Sequence, residues 1–92
     1  MPKLHKAAQA GTLESSDILV NIAPAASGAG ITLQLASPTM RQYGEHIRGI
    51  ILGVLKDCGV TDAEIDANDK GALDFVIEAR VKTAILRALE AS

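Results

Sequence analysis

The sequence predicts a small α+β domain, a two-layer sandwich in which two helices pack on one face of a small, mainly antiparallel sheet. Apolar residues alternate over 18–23 and 31–36, as is typical of half-buried strands. Apolar residues recur at three- and four-residue steps over 40–58 and 73–89, as is typical of amphipathic helices. A length of 92 residues suits one such domain.

The N-terminal part is expected to contribute little to the core. Residues 1–8 are interpreted as a flexible tail, and residues 9–92 as the single domain. A short edge strand is predicted over 9–14, with Leu13 as its one large apolar anchor. The polar residues 14–17 that follow indicate a turn, because Ser and Asp side chains bond readily to nearby backbone groups.

Two further strands carry the clearest alternation. Ile18, Val20 and Ile22 point to one side of the first, and Pro24 ends it. A loop of small residues then leads to the second strand over 31–36. We expect these two strands to pair with each other in antiparallel fashion, with their apolar face covered by the helices.

The first helix is predicted to begin with Ser37 as N-cap and Pro38 at its first position. Gly59 is expected to end it in a left-handed cap. Glycines inside this helix each cost up to about 1 kcal/mol relative to alanine, so we interpret them as sites of close packing. The predicted apolar stripe consists of Met40, Tyr43, Ile47, Ile50, Ile51, Val54, Leu55 and Cys58.

The last third of the chain predicts one more strand and one more helix. Ala63, Ile65 and Ala67 alternate with polar residues within 60–68, and residues 68–71 indicate a turn. The second helix is predicted from 72 to about 88. Its apolar stripe consists of Leu73, Val76, Ile77, Val81, Ala84, Ile85, Ala88 and Leu89.

Composition excludes several classes of function. Aromatic residues make up 2% of the chain and the formal net charge is −2, so neither a nucleic-acid nor an anionic-membrane partner is expected. No apolar run is long enough to span a bilayer. Cys58 is the one cysteine, so no intrachain disulfide can form, which fits a reducing cytoplasm. We expect Cys58 to be a small core residue.

Catalysis by the chain itself has little support in the sequence. Glu14 and Asp17 could act as an acid–base pair, but solvated turn charges are the simpler interpretation. His5 lies in the tail and His46 at the edge of a helix, and nothing in the spacing brings either to a serine. A metal site is not expected from two isolated histidines and one cysteine.

Residues 11–17, Gly-Thr-Leu-Glu-Ser-Ser-Asp, place two serine hydroxyls between two carboxylates. By physics alone this is a surface turn. The segment nevertheless resembles the citrate lyase acyl carrier protein (gamma chain) family, as do four further motifs. These are Ile-Ala-Pro at 22–24, Tyr-Gly at 43–44, Asn-Asp-Lys-Gly-Ala-Leu-Asp at 68–74 and Ala-Arg at 79–80. The resemblance extends from about residue 10 to residue 88.

The resemblance implies that Ser15 is the site of a covalent attachment. The attached group would be 2'-(5''-phosphoribosyl)-3'-dephospho-coenzyme A, joined to the serine through a phosphodiester. Ser16 stands where a glycine is familiar in the family, so it is the competing residue. The thiol belongs to the attached group, and Cys58 is therefore not needed for the chemistry.

The implied function is that of a non-catalytic subunit in a cytoplasmic, citrate-cleaving complex. It would carry acetyl and citryl thioesters between the transferase (alpha) and lyase (beta) subunits of citrate lyase, after loading by a prosthetic-group transferase. We also expect Asp69, Lys70 and Asp74 to form part of a surface that docks a partner subunit. The alternatives are the acyl carrier of malonate decarboxylase, an unmodified interaction domain, and a small hydrolase that uses Ser15 or Ser16.

Overall fold

The computed structural model describes residues 3–90. It confirms the predicted α+β class, with two helices on one face of a small mixed sheet. The strands and helices, in chain order, are β1 (Ala8–Ala10), β2 (Ile18–Pro24), β3 (Ile31–Ala36), α1 (Met40–Asp57), β4 (Ala63–Asp69) and α2 (Asp74–Leu89).

The sheet has the order β1-β2-β4-β3, so the predicted direct pairing of β2 with β3 is wrong. β4 lies between them, antiparallel to β2 and parallel to β3. The loop before β3 fixes this arrangement, because Gly30 N–H donates to Asp62 Oδ1 (2.7 Å) and Ala63 N–H donates to the Gly30 carbonyl (3.1 Å). The central position of β4 buries Ala63, Ile65 and Ala67 almost completely.

The core lies between the sheet and the two helices and is aliphatic, as the composition predicts. α2 packs on β1 and β2, while α1 packs on α2 and β3. The largest fully buried apolar side chains are Ile18, Val20, Ile51, Leu55, Ile77, Val81 and Ile85. Both aromatic residues are exposed instead, Tyr43 by 56% and Phe75 by 67%.

The start of α1 differs from the prediction. The helix begins at Met40, and its N-cap is Thr39, which makes no side-chain capping bond. Ser37 Oγ instead accepts a bond from Thr39 N–H (3.2 Å) and donates to Asp69 Oδ2 (2.7 Å). Ser37 therefore joins the end of β3 to the end of β4, which the local helix-capping pattern could not show.

The rest of α1 agrees with the prediction in part. Gly59 has a φ of 76° and ends the helix in the left-handed conformation, as expected. The stripe is narrower than predicted, because Met40 and Tyr43 are exposed and the buried positions are Gly44, Ile47, Ile51 and Leu55. A Cβ at Gly49 or Gly53 would meet no atom within 4 Å, so close packing within the chain does not explain these glycines.

The described part of the tail expected over 1–8 packs against α2. Leu4 is buried, and the N–H groups of His5 and Lys6 both donate to the Ala88 carbonyl (2.8 and 3.3 Å). β1 covers three residues rather than the predicted 9–14. Leu13 is 54% exposed and is not an anchor, because the chain leaves the sheet at Gly11.

Candidate functional site

The Ser15 loop, residues 11–17, connects β1 to β2. It begins at Gly11, whose φ of 92° is a conformation that favours glycine. A Cβ at this position would lie 1.8 Å from the carbonyl oxygen of Ile18. The close approach of the two backbone segments therefore requires glycine and sets the direction in which the loop leaves the sheet.

Asp17 anchors the other end of the loop. Arg80 of α2 donates to both of its carboxylate oxygens, from Nε to Oδ1 (3.0 Å) and from a terminal nitrogen to Oδ2 (3.1 Å). Thr12 Oγ1 donates to Oδ2 (2.7 Å), and the Ile18 N–H donates to Oδ1 (2.7 Å). The interpretation of Asp17 as a solvated turn charge is thus wrong, since its carboxylate is largely buried and fully paired.

These bonds stabilise the ionised form of Asp17. The Arg80 guanidinium, followed by the Thr12 hydroxyl, lowers the pKa of the Asp17 carboxyl to about 2. The Asp17 carboxylate is therefore charged throughout the physiological pH range. It fixes Thr12 and the start of β2 to α2, so the base of the loop is held by a charge-assisted network.

The tip of the loop is held through its backbone. Asp17 N–H donates to the Glu14 carbonyl (3.1 Å), and Ser16 N–H donates to the Lys70 carbonyl (2.9 Å). Ser16 has a φ of 66°, in the left-handed region that few residues other than glycine adopt. The whole stretch 12–16 is exposed, so Ser15 sits at the solvent-facing tip of a loop whose backbone is fixed on both sides.

An open groove of about 570 Å³ runs beside Ser15. It lies between the Ser15 loop, the end of β3 and the turn after β4, and is lined by Leu13, Ser15, Ala36, Ser37, Pro38, Asn68, Asp69 and Lys70. Asp69 is only 1% exposed and accepts bonds from Ser37 Oγ (2.7 Å) and Ala72 N–H (2.9 Å). Asp69 therefore supports the turn from within, and its predicted role on a docking surface is wrong; Lys70 and Asp74 are exposed.

The serines of the loop lack the partners of a hydrolytic nucleophile within residues 3–90. Neither hydroxyl hydrogen-bonds to a histidine there, and His46 pairs with Asp74 between the two helices (2.8 Å). No three His, Cys, Asp or Glu side chains of this part of the chain form a group suited to a metal ion. Cys58 packs against the core, half-buried, as predicted. The site therefore consists of an exposed serine hydroxyl on a loop whose backbone is held at both ends.

Comparison with known proteins identifies the class to which this fold and loop belong. Residues 5–88 match the acyl carrier protein family described as malonate decarboxylase delta subunit (MdcD). One chain in the crystal structure of a Pseudomonas malonate decarboxylase hetero-tetramer in complex with malonate has the same fold, with a TM-score of 0.64 and 21% identity over 96% of this chain and 92% of that chain. The class is that of the small acyl carrier subunits.

Relatives at higher identity define the family more closely. The citrate lyase acyl carrier protein of Albidiferax ferrireducens is 47% identical over 95% of this chain and 88% of its own length. Those of Lacticaseibacillus casei and Pectobacterium atrosepticum are 48% and 44% identical, over 88% and 96% of this chain and 78% and 90% of their own lengths. This chain belongs to the citrate lyase acyl carrier protein family, which confirms the resemblance.

No helix within residues 3–90 has the length and apolar character that crossing a membrane requires.

Proposed function

We propose that this chain is the acyl carrier subunit of citrate lyase and that Ser15 is the residue to which its prosthetic group is attached. The observation that carries the proposal is the exposed position of Ser15 at the tip of a loop anchored by Asp17, Arg80 and Lys70. A transferase can reach a hydroxyl in this position without unfolding the domain. The names of the 43–48% identical relatives support the choice of citrate lyase.

The residues around Ser15 fit a bulky group joined through a phosphodiester. The hydroxyl points from an exposed loop, and the open groove beside it leaves room for the first part of an arm. In its proposed form, 2'-(5''-phosphoribosyl)-3'-dephospho-coenzyme A, the group would supply a thiol that holds acetyl and citryl residues as thioesters. The chain contributes the fixed attachment point, because the Asp17–Arg80 pair keeps the base of the loop on α2.

Ser15 is preferred over Ser16 for a reason of backbone geometry. Ser16 adopts the left-handed conformation, and its N–H is bonded to Lys70, so Ser16 is the residue that closes the turn. Neither serine makes a side-chain hydrogen bond within residues 3–90, but of the two only Ser15 lines the open groove beside the loop. Its hydroxyl is therefore available to a transferase without loss of an intramolecular bond.

The proposed partners follow from this role. In the cytoplasm, the prosthetic-group transferase would load Ser15, and the loaded chain would then serve the alpha and beta subunits of citrate lyase in turn. A carrier of this kind has to release its cargo to each catalytic subunit, and tight uniform binding of the cargo by the carrier would add nothing to turnover.

The intact mass of the protein purified from its native host tests the proposal. We expect a large added mass that maps to the peptide containing Ser15. Ser15→Ala should abolish the added mass, and the matched control Ser16→Ala should retain it. An added mass that survives Ser15→Ala and disappears in Ser16→Ala would refute the site, and unmodified wild-type protein would favour a plain interaction domain.

The acyl carrier of malonate decarboxylase is the second candidate, because the family that matches residues 5–88 carries that description. Affinity purification of the tagged chain from its host separates the two. Co-purification of the citrate lyase alpha and beta subunits supports the first proposal, whereas recovery of malonate decarboxylase subunits in their place would replace it.

A further inference from the structure

Lys70 occupies a fixed backbone position directly opposite the Ser15 loop. Its N–H donates to the Asp17 carbonyl (2.9 Å), and its carbonyl accepts from Ser16 N–H (2.9 Å). Two residues of the loop, Ser16 and Asp17, thus lie opposite Lys70, next to the Ile18–Asp69 pair that ends the β2–β4 ladder. The main chain of Lys70 is therefore held against the two residues that follow Ser15.

The Lys70 side chain shares a groove with Ser15. Of the eight residues that line this groove, Lys70 is the one with a positive charge. It is exposed and, among residues 3–90, forms no ion pair. Arg80, on the other side of the loop, already uses its guanidinium to bind Asp17. Lys70 is thus the uncommitted cation on the groove side of the loop.

The carboxylates close to Lys70 are committed to other partners or exposed to water. Asp17 is paired with Arg80, and both oxygens of Asp69 accept hydrogen bonds, from Ser37 and Ala72. Glu14 is exposed beside Ser15. A phosphodiester on Ser15 would bring a further negative charge to a loop that already carries Glu14, and in the lining of the groove only Lys70 can offset it.

We propose that the Lys70 ammonium is the counter-ion of the phosphodiester on Ser15 and that the groove beside Ser15 binds the part of the attached group nearest the serine. This inference rests on the proposed function. Since both groups are exposed, the pair would favour the bound position of the phosphodiester by at most about fivefold. A preference of this size orients the part of the attached group next to Ser15, while the far end of the group stays free to reach a partner subunit.

Phosphorus-31 NMR of the Ser15-loaded protein tests the pairing without an activity assay. We expect the phosphodiester resonance of the wild type to move between low and high ionic strength, because salt dissociates exposed ion pairs. In Lys70→Gln, the resonance at low ionic strength should already lie near the high-salt position of the wild type. Lys70→Arg should retain the salt response, since it keeps the charge.

Lys82→Gln is the matched control, because Lys82 is exposed on α2 and lines the groove between the helices rather than the one beside Ser15. It should behave as the wild type. A phosphodiester resonance unchanged in Lys70→Gln, or shifted equally in Lys82→Gln, would overturn the role of Lys70 while leaving the carrier function intact. Absence of any added mass on Ser15 would instead refute the carrier function, and the pairing with it.

Discussion

Replacing Arg80 with methionine should destabilise the domain in a pH-dependent way. The Arg80 and Thr12 bonds lower the pKa of Asp17 from 3.8 to about 2, which corresponds to about 2 kcal/mol of stabilisation at neutral pH. Because the Arg80 side chain is 42% exposed, solvent screening reduces the expected loss to about 1–2 kcal/mol. For a domain of this size, such a loss lowers the Tm by roughly 4–16 °C.

The pH dependence follows from the lowered pKa. An acid whose folded-state pKa is depressed contributes stability that is fully present above its unfolded pKa and is lost as the pH falls through the folded pKa. The difference between wild type and Arg80→Met should therefore be constant near neutral pH and should narrow from about pH 4 towards pH 2.

Urea unfolding followed by far-UV circular dichroism measures this difference, since the chain has no tryptophan to report by fluorescence. Arg41→Met is the matched control, because Arg41 is exposed on α1 and makes no hydrogen bond or ion pair within residues 3–90. Equal unfolding midpoints for Arg80→Met and Arg41→Met, or a difference that persists unchanged at pH 2, would show that the pair does not stabilise the loop as described.

Two further predictions concern glycines. Gly11→Ala should destabilise the domain by more than about 2 kcal/mol, because it adds a clash with the Ile18 carbonyl to an unfavourable φ. Gly30→Ala is the matched control: it has open space around it and should cost only the backbone penalty of about 1 kcal/mol. Equal urea midpoints for the two variants would contradict the clash. Gly49→Ala should stabilise α1 by roughly 0.5–1 kcal/mol, because the added methyl group meets no neighbour; a lower thermal midpoint would contradict this.

The sequence locates the elements of this fold better than their arrangement. Alternation identifies β2, β3 and β4, and the left-handed Gly59 marks the end of α1. All three strands carry the same period-two pattern, so nothing local indicates which one occupies the centre of the sheet. The pairing depends on contacts such as Gly30 with Asp62, which lie far apart in the sequence.

The candidate site shows the same limit. The turn at residues 14–17 is visible in the sequence, but the Asp17–Arg80 pair joins residues 63 positions apart. One signal could have revealed it: Arg80 lies three residues after Ile77 and four before Ala84, on the apolar side of α2. Because this part of the helix borders the core, a guanidinium there favours a carboxylate partner even though it remains partly exposed.

The central place of β4 has a consequence for how the chain folds as it is made. β4 lies between β2 and β3 in the sheet but is synthesised after both of them. It begins roughly 40 residues after β2 ends. A nascent chain that stops before Ala63 can pair β1 with β2 but cannot join β3 to them. We therefore expect folding to await nearly the whole sequence and to be slower than that of a helical bundle of equal length.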